Sequence, residues 1–226
     1  MKEHLLSTLK LSLPLIIAQI AQLGLGLTDT AMIGWYGTSE LAALTLGHAC
    51  LFFVYITLTG FSLAVITNVS QAFGKADEEA LRLNFRMGLW LVFAFSLIGL
   101  VLVSKTEEFL TYLNQDEQII NIVSQYIEIV QWMVPFLLLT YVIKAFLISV
   151  KKQQVVLSIS ILGLATNIVL NYLFIFGKLG LPELGIRGVA YSSLLTSFAM
   201  MLSGLLYIHF SDLKVKRIFK DFFILD

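Results

Sequence analysis

Apolar residues run along the chain in long blocks separated by short polar turns. A bilayer core of about 30 Å is crossed by ~20 apolar residues in a helix. Six blocks reach that length. The first runs from about Leu11 to Tyr36 and holds a single charge, Asp29. The second lies within Leu41 to Gly74 and has no Asp, Glu, Lys or Arg. The third centres on Met87 to Ser104. The fourth runs from about Ile122 to Val150, with Glu128 and Lys144 near its ends. The fifth, Gln153 to Gly177, and the sixth, Gly188 to about Phe210, are free of charge. Strands fit poorly, because a membrane barrel shows alternating segments of ~10 residues rather than continuous apolar runs. The pattern predicts an all-α membrane protein, a bundle of six transmembrane helices.

Composition agrees. The chain is 58% hydrophobic and 13% charged, with a mean hydropathy of +0.87. A soluble domain carries roughly 25% charged residues, so lipid is the solvent this chain expects. Formal net charge is zero, and no face concentrates Lys and Arg as nucleic-acid modules do. The single cysteine, Cys50, makes no internal disulfide. The first block is too long for the apolar part of a leader peptide and lacks a small-residue cleavage site, so no cleavable leader is expected.

Charge placement predicts orientation. With the N-terminus inside, twelve of the fifteen Lys and Arg fall on the cytoplasmic side; Lys105, Lys178 and Arg187 are the three outside. That bias follows the positive-inside rule and puts both termini in the cytoplasm of a multi-pass protein of the cell (inner) membrane. The acidic connection with Glu107, Glu108, Asp116 and Glu117 is left outside.

A carboxylate at bilayer depth is costly and usually faces protein or a water cavity. Asp29 is the one acid well inside a span. It lies about 27 Å along its helix from Leu11, at 1.5 Å per residue. Counted from Gln153 on the parallel fifth span, Asn171 lies at about 27 Å and Asn167 at about 21 Å. The three therefore share a height in the outer half of the membrane. Asn167 and Asn171, at i and i+4, share a face. One acid and two amides at one depth suit a hydrated cation or a proton, while hydrogen bonding between helices is an equally open reading of the asparagines. Gln22, seven residues before Asp29, shares roughly its face. Gln22 and the less well aligned Gln19 are candidates for lining the same cavity. Pro14 removes a backbone hydrogen bond early in the first span and is a candidate bend. Gly24, Gly26 and Gly34 serve either close packing or a hinge.

Other polar residues carry less. His48 and Cys50, two apart on a helix, point to different faces and make no metal pair; no resident metal is expected. Glu128 and Lys144 are expected to snorkel from the span ends. No nucleophile elbow, phosphate loop, HExxH or CxxC motif occurs. An intramembrane aspartyl protease needs two aspartates in spans, and one is present. The chain is not expected to be an enzyme or to hold a cofactor.

Four stretches together resemble the multidrug and toxic compound extrusion (MATE) family, in its NorM-like branch. These are LPLIIAQIAQLGLGLTDTAMIGWYG, with Pro14 fifteen residues before Asp29; VSQAFGKAD; NIVLNYLFIFGKLGLPELGIRGVAYS from Asn167 to Ser192; and KAFLISVKKQQ. The third is the most specific, with NxxxN, the GK(x)G turn, PELG and a following G-x-A in order. The fourth departs from the family pattern, with Gln153 and Gln154 where a Lys-Pro turn is common. The resemblance covers about residues 7 to 210.

It implies one six-helix lobe of a twelve-helix transporter. Residues 1–210 are the N-terminal lobe, and 211–226, with RIFKDFFILD, begin the cytoplasmic linker between lobes. Such a transporter exports cationic and amphipathic compounds in exchange for H⁺ or Na⁺. The family's N-lobe cation or proton site carries over to Asp29, Asn167 and Asn171, with a transported Na⁺ as one candidate at Asp29. Its bending proline carries over to Pro14. The implied partners are the lipid bilayer, small-molecule drugs, and a C-terminal six-helix lobe or a second copy. Two alternatives stay open: a lipid-linked oligosaccharide flippase of the same superfamily, which would carry more Arg and Lys within its spans, and a non-transporting half-length membrane assembly protein.

Overall fold

The computed structural model describes residues 2–211, which form eight α-helices and no strand. They are α1 Lys2–Tyr36, α2 Thr38–Gly74, α3 Glu78–Ser104, α4 Thr106–Tyr112, α5 Glu117–Val130, α6 Met133–Ser149, α7 Gln153–Ile175 and α8 Ile186–Phe210. The linker expected beyond Ser211 lies outside the described residues. In lipid a helix satisfies its own backbone polar groups, so long apolar blocks fold this way and no other open form is stable.

The turns are set by a few polar residues. Asp77 accepts from the Ala80 N–H at 2.9 Å and opens α3, which accounts for the end of the VSQAFGKAD stretch. Asp116 accepts from the Gln118 N–H at 2.8 Å and opens α5. The side-chain oxygen satisfies one of the backbone donors that a helix start leaves without a partner. The short amphipathic α4 occupies the acidic connection and is an element the apolar pattern did not predict.

Five helices are long and apolar enough to cross a bilayer alone. The fourth span differs from the continuous helix expected over 122–150. It is α5 and α6, bent by 53° at a two-residue break, Gln131 and Trp132. The cause is Pro135. Its missing N–H and its ring, which crowds the carbonyl four residues back at Gln131, interrupt the helical ladder. Counting the bent pair as one gives six spans.

α6 is the central staff, packed on α2, α3 and α8. It is apolar almost all round, and Val142, Ile143, Phe146 and Leu147 are fully buried. Phe85 of α3 meets Phe146 with ring centroids 4.3 Å apart. α1 lies along α7, and α7 along α8. That last pair approaches closely because Gly163 and Gly188 lack side chains. A Cβ on Gly163 would lie 2.4 Å from Met200 Sδ, and one on Gly188 would lie 2.7 Å from the Ile175 backbone nitrogen. The other face of α1, with Ile16, Ile20, Leu23 and Leu27, is exposed, as suits a surface whose solvent is lipid or another apolar surface.

Candidate functional site

The α1–α7 contact carries Asp29 to the asparagines of α7. Asp29 is 5% exposed, Asn167 1% and Asn171 not at all. Asn171 Nδ2 donates to Asp29 Oδ1 at 2.6 Å, and Asn167 Nδ2 donates to the same oxygen at 3.0 Å. Asn171 Nδ2 also reaches Asn167 Oδ1 at 3.3 Å. The equal heights counted along the two parallel helices are therefore realised as direct bonds.

The sequence reading missed the fourth partner. Ser193 Oγ of α8 donates to Asp29 Oδ2 at 3.2 Å. Its neighbour Ser192 ties Asn167 in place by donating to the Asn167 carbonyl at 3.2 Å. Ser193 sits in the run SSLLTS, where nothing local distinguishes it from an ordinary helix-packing serine. The same depth count, applied to α8 from Ile186, would have placed it about 10 Å in, near Asp29.

The site keeps spare acceptors. Asn171 Oδ1 and Thr196 Oγ1 are buried and, among the described residues, have no hydrogen-bond partner. A buried oxygen without a donor is unfavourable. Beside a carboxylate it is a place where a proton on the acid, or a small cation, finds a further ligand.

Asp29 and Asn167 open onto a cavity of about 370 Å³ walled also by Ser193 and Thr196 of α8, His48 and Tyr55 of α2, Tyr126 of α5, and Met133 and Tyr141 of α6. The Tyr55 hydroxyl donates to that of Tyr141, bracing α2 against α6 across it. Gln22 is on the wall; Gln19 is not, and is exposed. Pro14 is buried four turns away and α1 passes through it as one helix. Of the three glycines, Gly24 presses on Leu164, where a Cβ would lie 3.1 Å away, Gly34 makes ordinary contact with Leu41, and Gly26 is open to the cavity.

Lys144 corrects an expectation. It does not snorkel. It is 8% exposed, and its Nζ donates to Gln22 Oε1 at 2.8 Å. The 53° bend between α5 and α6 and the packing of α6 at the centre of the bundle turn it inward rather than toward a headgroup layer. Glu128 is exposed.

A family model described as MatE matches residues 14–173. The chain is 35% identical over 188 residues to the probable multidrug resistance protein NorM of Agrobacterium fabrum, covering 83% of this chain and 40% of that protein. It is 35% identical to the protein of the same description from Rhizobium meliloti, covering 84% and 41%. Among solved structures, a MATE protein in the bent conformation superposes with a TM-score of 0.81 at 19% identity, covering 89% of this chain and 44% of that one. A MOP superfamily transporter from Pyrococcus furiosus superposes at 0.79 and 19%, covering 92% and 44%. The chain thus spans about two fifths of the length of these relatives, the extent of one lobe.

Proposed function

The chain belongs to the MatE family, and from that premise we propose that it supplies the N-terminal lobe of a cation-coupled multidrug exporter in the cell (inner) membrane, with both termini cytoplasmic. Asp29, Asn167, Asn171 and Ser193 hold the coupling ion, H⁺ or Na⁺, and no resident cofactor takes part. The observation that carries the reading is the buried carboxylate with three side-chain donors on it and an unpartnered amide oxygen beside it. An acid kept at bilayer depth among donors is a costly arrangement unless its charge is used.

The chemistry follows from charge. When Asp29 is ionised, the two amides and the hydroxyl stabilise it. When it takes H⁺ or Na⁺, the negative charge of the wall is neutralised, and those donors lose part of their attraction. α1 is then less firmly held to α7 and α8, and Pro14 is where its ladder is weakest. Movement of α1 closes the cavity on a bound organic cation and releases it outward; reopening inward discharges the coupling ion. The two-lobe arrangement places the drug between halves that rock against each other. NorM-like relatives named as multidrug resistance proteins support drugs as cargo.

The test is dye efflux from vesicles carrying the chain with and without a supplied C-terminal lobe, driven by a proton or a sodium gradient. Efflux should appear with the second lobe present, and Asp29→Asn should abolish it. Wild-type efflux by Asp29→Asn would overturn the role of this carboxylate. Efflux of lipid-linked sugar instead of dye would favour a flippase.

A further inference from the structure

The cavity wall holds an imidazole that the coupling reading does not use. His48 projects from α2 onto the same cavity as Asp29. α1 ends at Tyr36 and α2 begins at Thr38, so a single residue, Gly37, joins two antiparallel helices. Asp29 is seven residues from that turn and His48 ten, which places the imidazole about 4 to 5 Å further from the turn than the carboxylate. The ring meets Tyr126 edge-on, with centroids 5.9 Å apart, and this contact fixes its plane. Among the described residues no side chain hydrogen-bonds the imidazole, and Asp29 is the charged group that acts on it.

We infer that His48 is a second proton-carrying group of this cavity and forms with Asp29 an imidazole–carboxylate pair through which protons reach and leave the site. This rests on the reading of Asp29 as the coupling site. No hydrogen bond joins the two directly, so the transfer runs through water in the cavity they share. An imidazolium N–H bond breaks as the water takes its proton, a water O–H bond breaks as Asp29 oxygen gains one, and the water is restored. The pair begins as imidazolium and carboxylate and ends as imidazole and carboxylic acid, with net charge unchanged.

The surroundings leave few rivals. The other ionisable groups on the wall are the phenols of Tyr55 on α2, Tyr126 on α5 and Tyr141 on α6. Phenols titrate near 10 in water, whereas imidazole is the side chain that ordinarily changes charge near neutrality. α3 packs on α2 but contributes no residue to the wall, and the wall residues from α7 and α8 are amide or hydroxyl groups. Lys144 on α6 is tied to Gln22 and is not on the wall. Such a pair has a consequence for cargo. A cationic drug drawn to Asp29 meets an imidazole that repels it when protonated, so drug and proton exclude each other at two groups rather than one.

The test reads the imidazoles by NMR in the full chain in lipid nanodiscs. The chain has three histidines, and His48→Gln assigns the His48 resonance by its loss. The resonance should titrate between about pH 4 and 9, and its midpoint should move by about one pH unit in Asp29→Asn, since each group feels the other's charge. A midpoint identical in wild type and Asp29→Asn would overturn the pairing, as would a resonance that does not titrate. If His48→Gln does not fold, a His4→Gln/His209→Gln chain leaves His48 as the single imidazole and gives the same reading. Failure of dye efflux to depend on Asp29 would refute the coupling site while leaving this titration as measured, so the two outcomes are separable.

Discussion

Among the described residues two ionisable side chains of opposite sign, Asp29 and Lys144, lie buried, and they are housed differently. Asp29 receives hydrogen bonds from two amides and a hydroxyl contributed by two other helices. Lys144 has one neutral acceptor, Gln22 Oε1, on a third. A buried charge is tolerated when hydrogen-bonded, and each added partner offsets more of its desolvation. The carboxylate is therefore embedded in a network that holds three helices to one point. The ammonium is a single tie between α1 and α6. The difference teaches that burial alone does not mark a site; the number of groups committed to a charge does.

The sharpest way to break that contrast is Asp29→Leu. It strips the acceptor from three buried donors, at ~1–3 kcal/mol each. Stability measured by thermal unfolding in detergent should fall by roughly 3 to 9 kcal/mol. A fall under about 1 kcal/mol would mean the network holds nothing together. Ser193→Ala removes one donor of the three and should cost about 1 kcal/mol in the same assay, while leaving Asn167 and Asn171 on the carboxylate. Lys144→Met keeps the volume and removes the ammonium. Because replacing a weakly paired buried charge by an apolar side chain is often neutral or stabilising, its effect should stay within about 1 kcal/mol of zero. A loss as large as that of Asp29→Leu would place Lys144 in a network comparable to that of Asp29.

Much of the site was legible because it rests on counting. Asp29 stands alone in an apolar block, and Asn167 and Asn171 are one turn apart on a block that runs parallel to it. A constant rise per residue then put all three at one height. Ser193 was not legible because serine is common in membrane helices, and nothing in SSLLTS says which hydroxyl turns toward an acid. His48 was weighed against Cys50 as a metal pair, a question of its own helix face, when its neighbour across the Gly37 turn was the one that mattered. The break in the fourth span was written in Pro135, yet the continuous apolar run over 122–150 masked it. Lys144 reads as terminal when the run is taken as one straight helix; the bend and the central packing of α6 turn it inward.

The contact between α1 and the α7–α8 connection has a mechanical consequence. That connection folds back on itself, with Leu184 N–H donating to the Phe174 carbonyl at 3.0 Å, and delivers Gly185 with a φ of 53° against the Tyr36 ring. A Cβ on Gly185 would lie 2.8 Å from Tyr36, so the ring occupies the space a side chain would need. One end of α1 is thereby pinned, and a swing of the helix that keeps this contact has its pivot there. Asp29 sits about 10 Å from the pivot and Pro14 about 33 Å. A rotation of about 10° then carries Pro14 some 6 Å while Asp29 moves under about 2 Å. The lever has its charge near the fulcrum, so a shift of Asp29 that is just enough to exchange its partners becomes a stroke about three times larger at the other end.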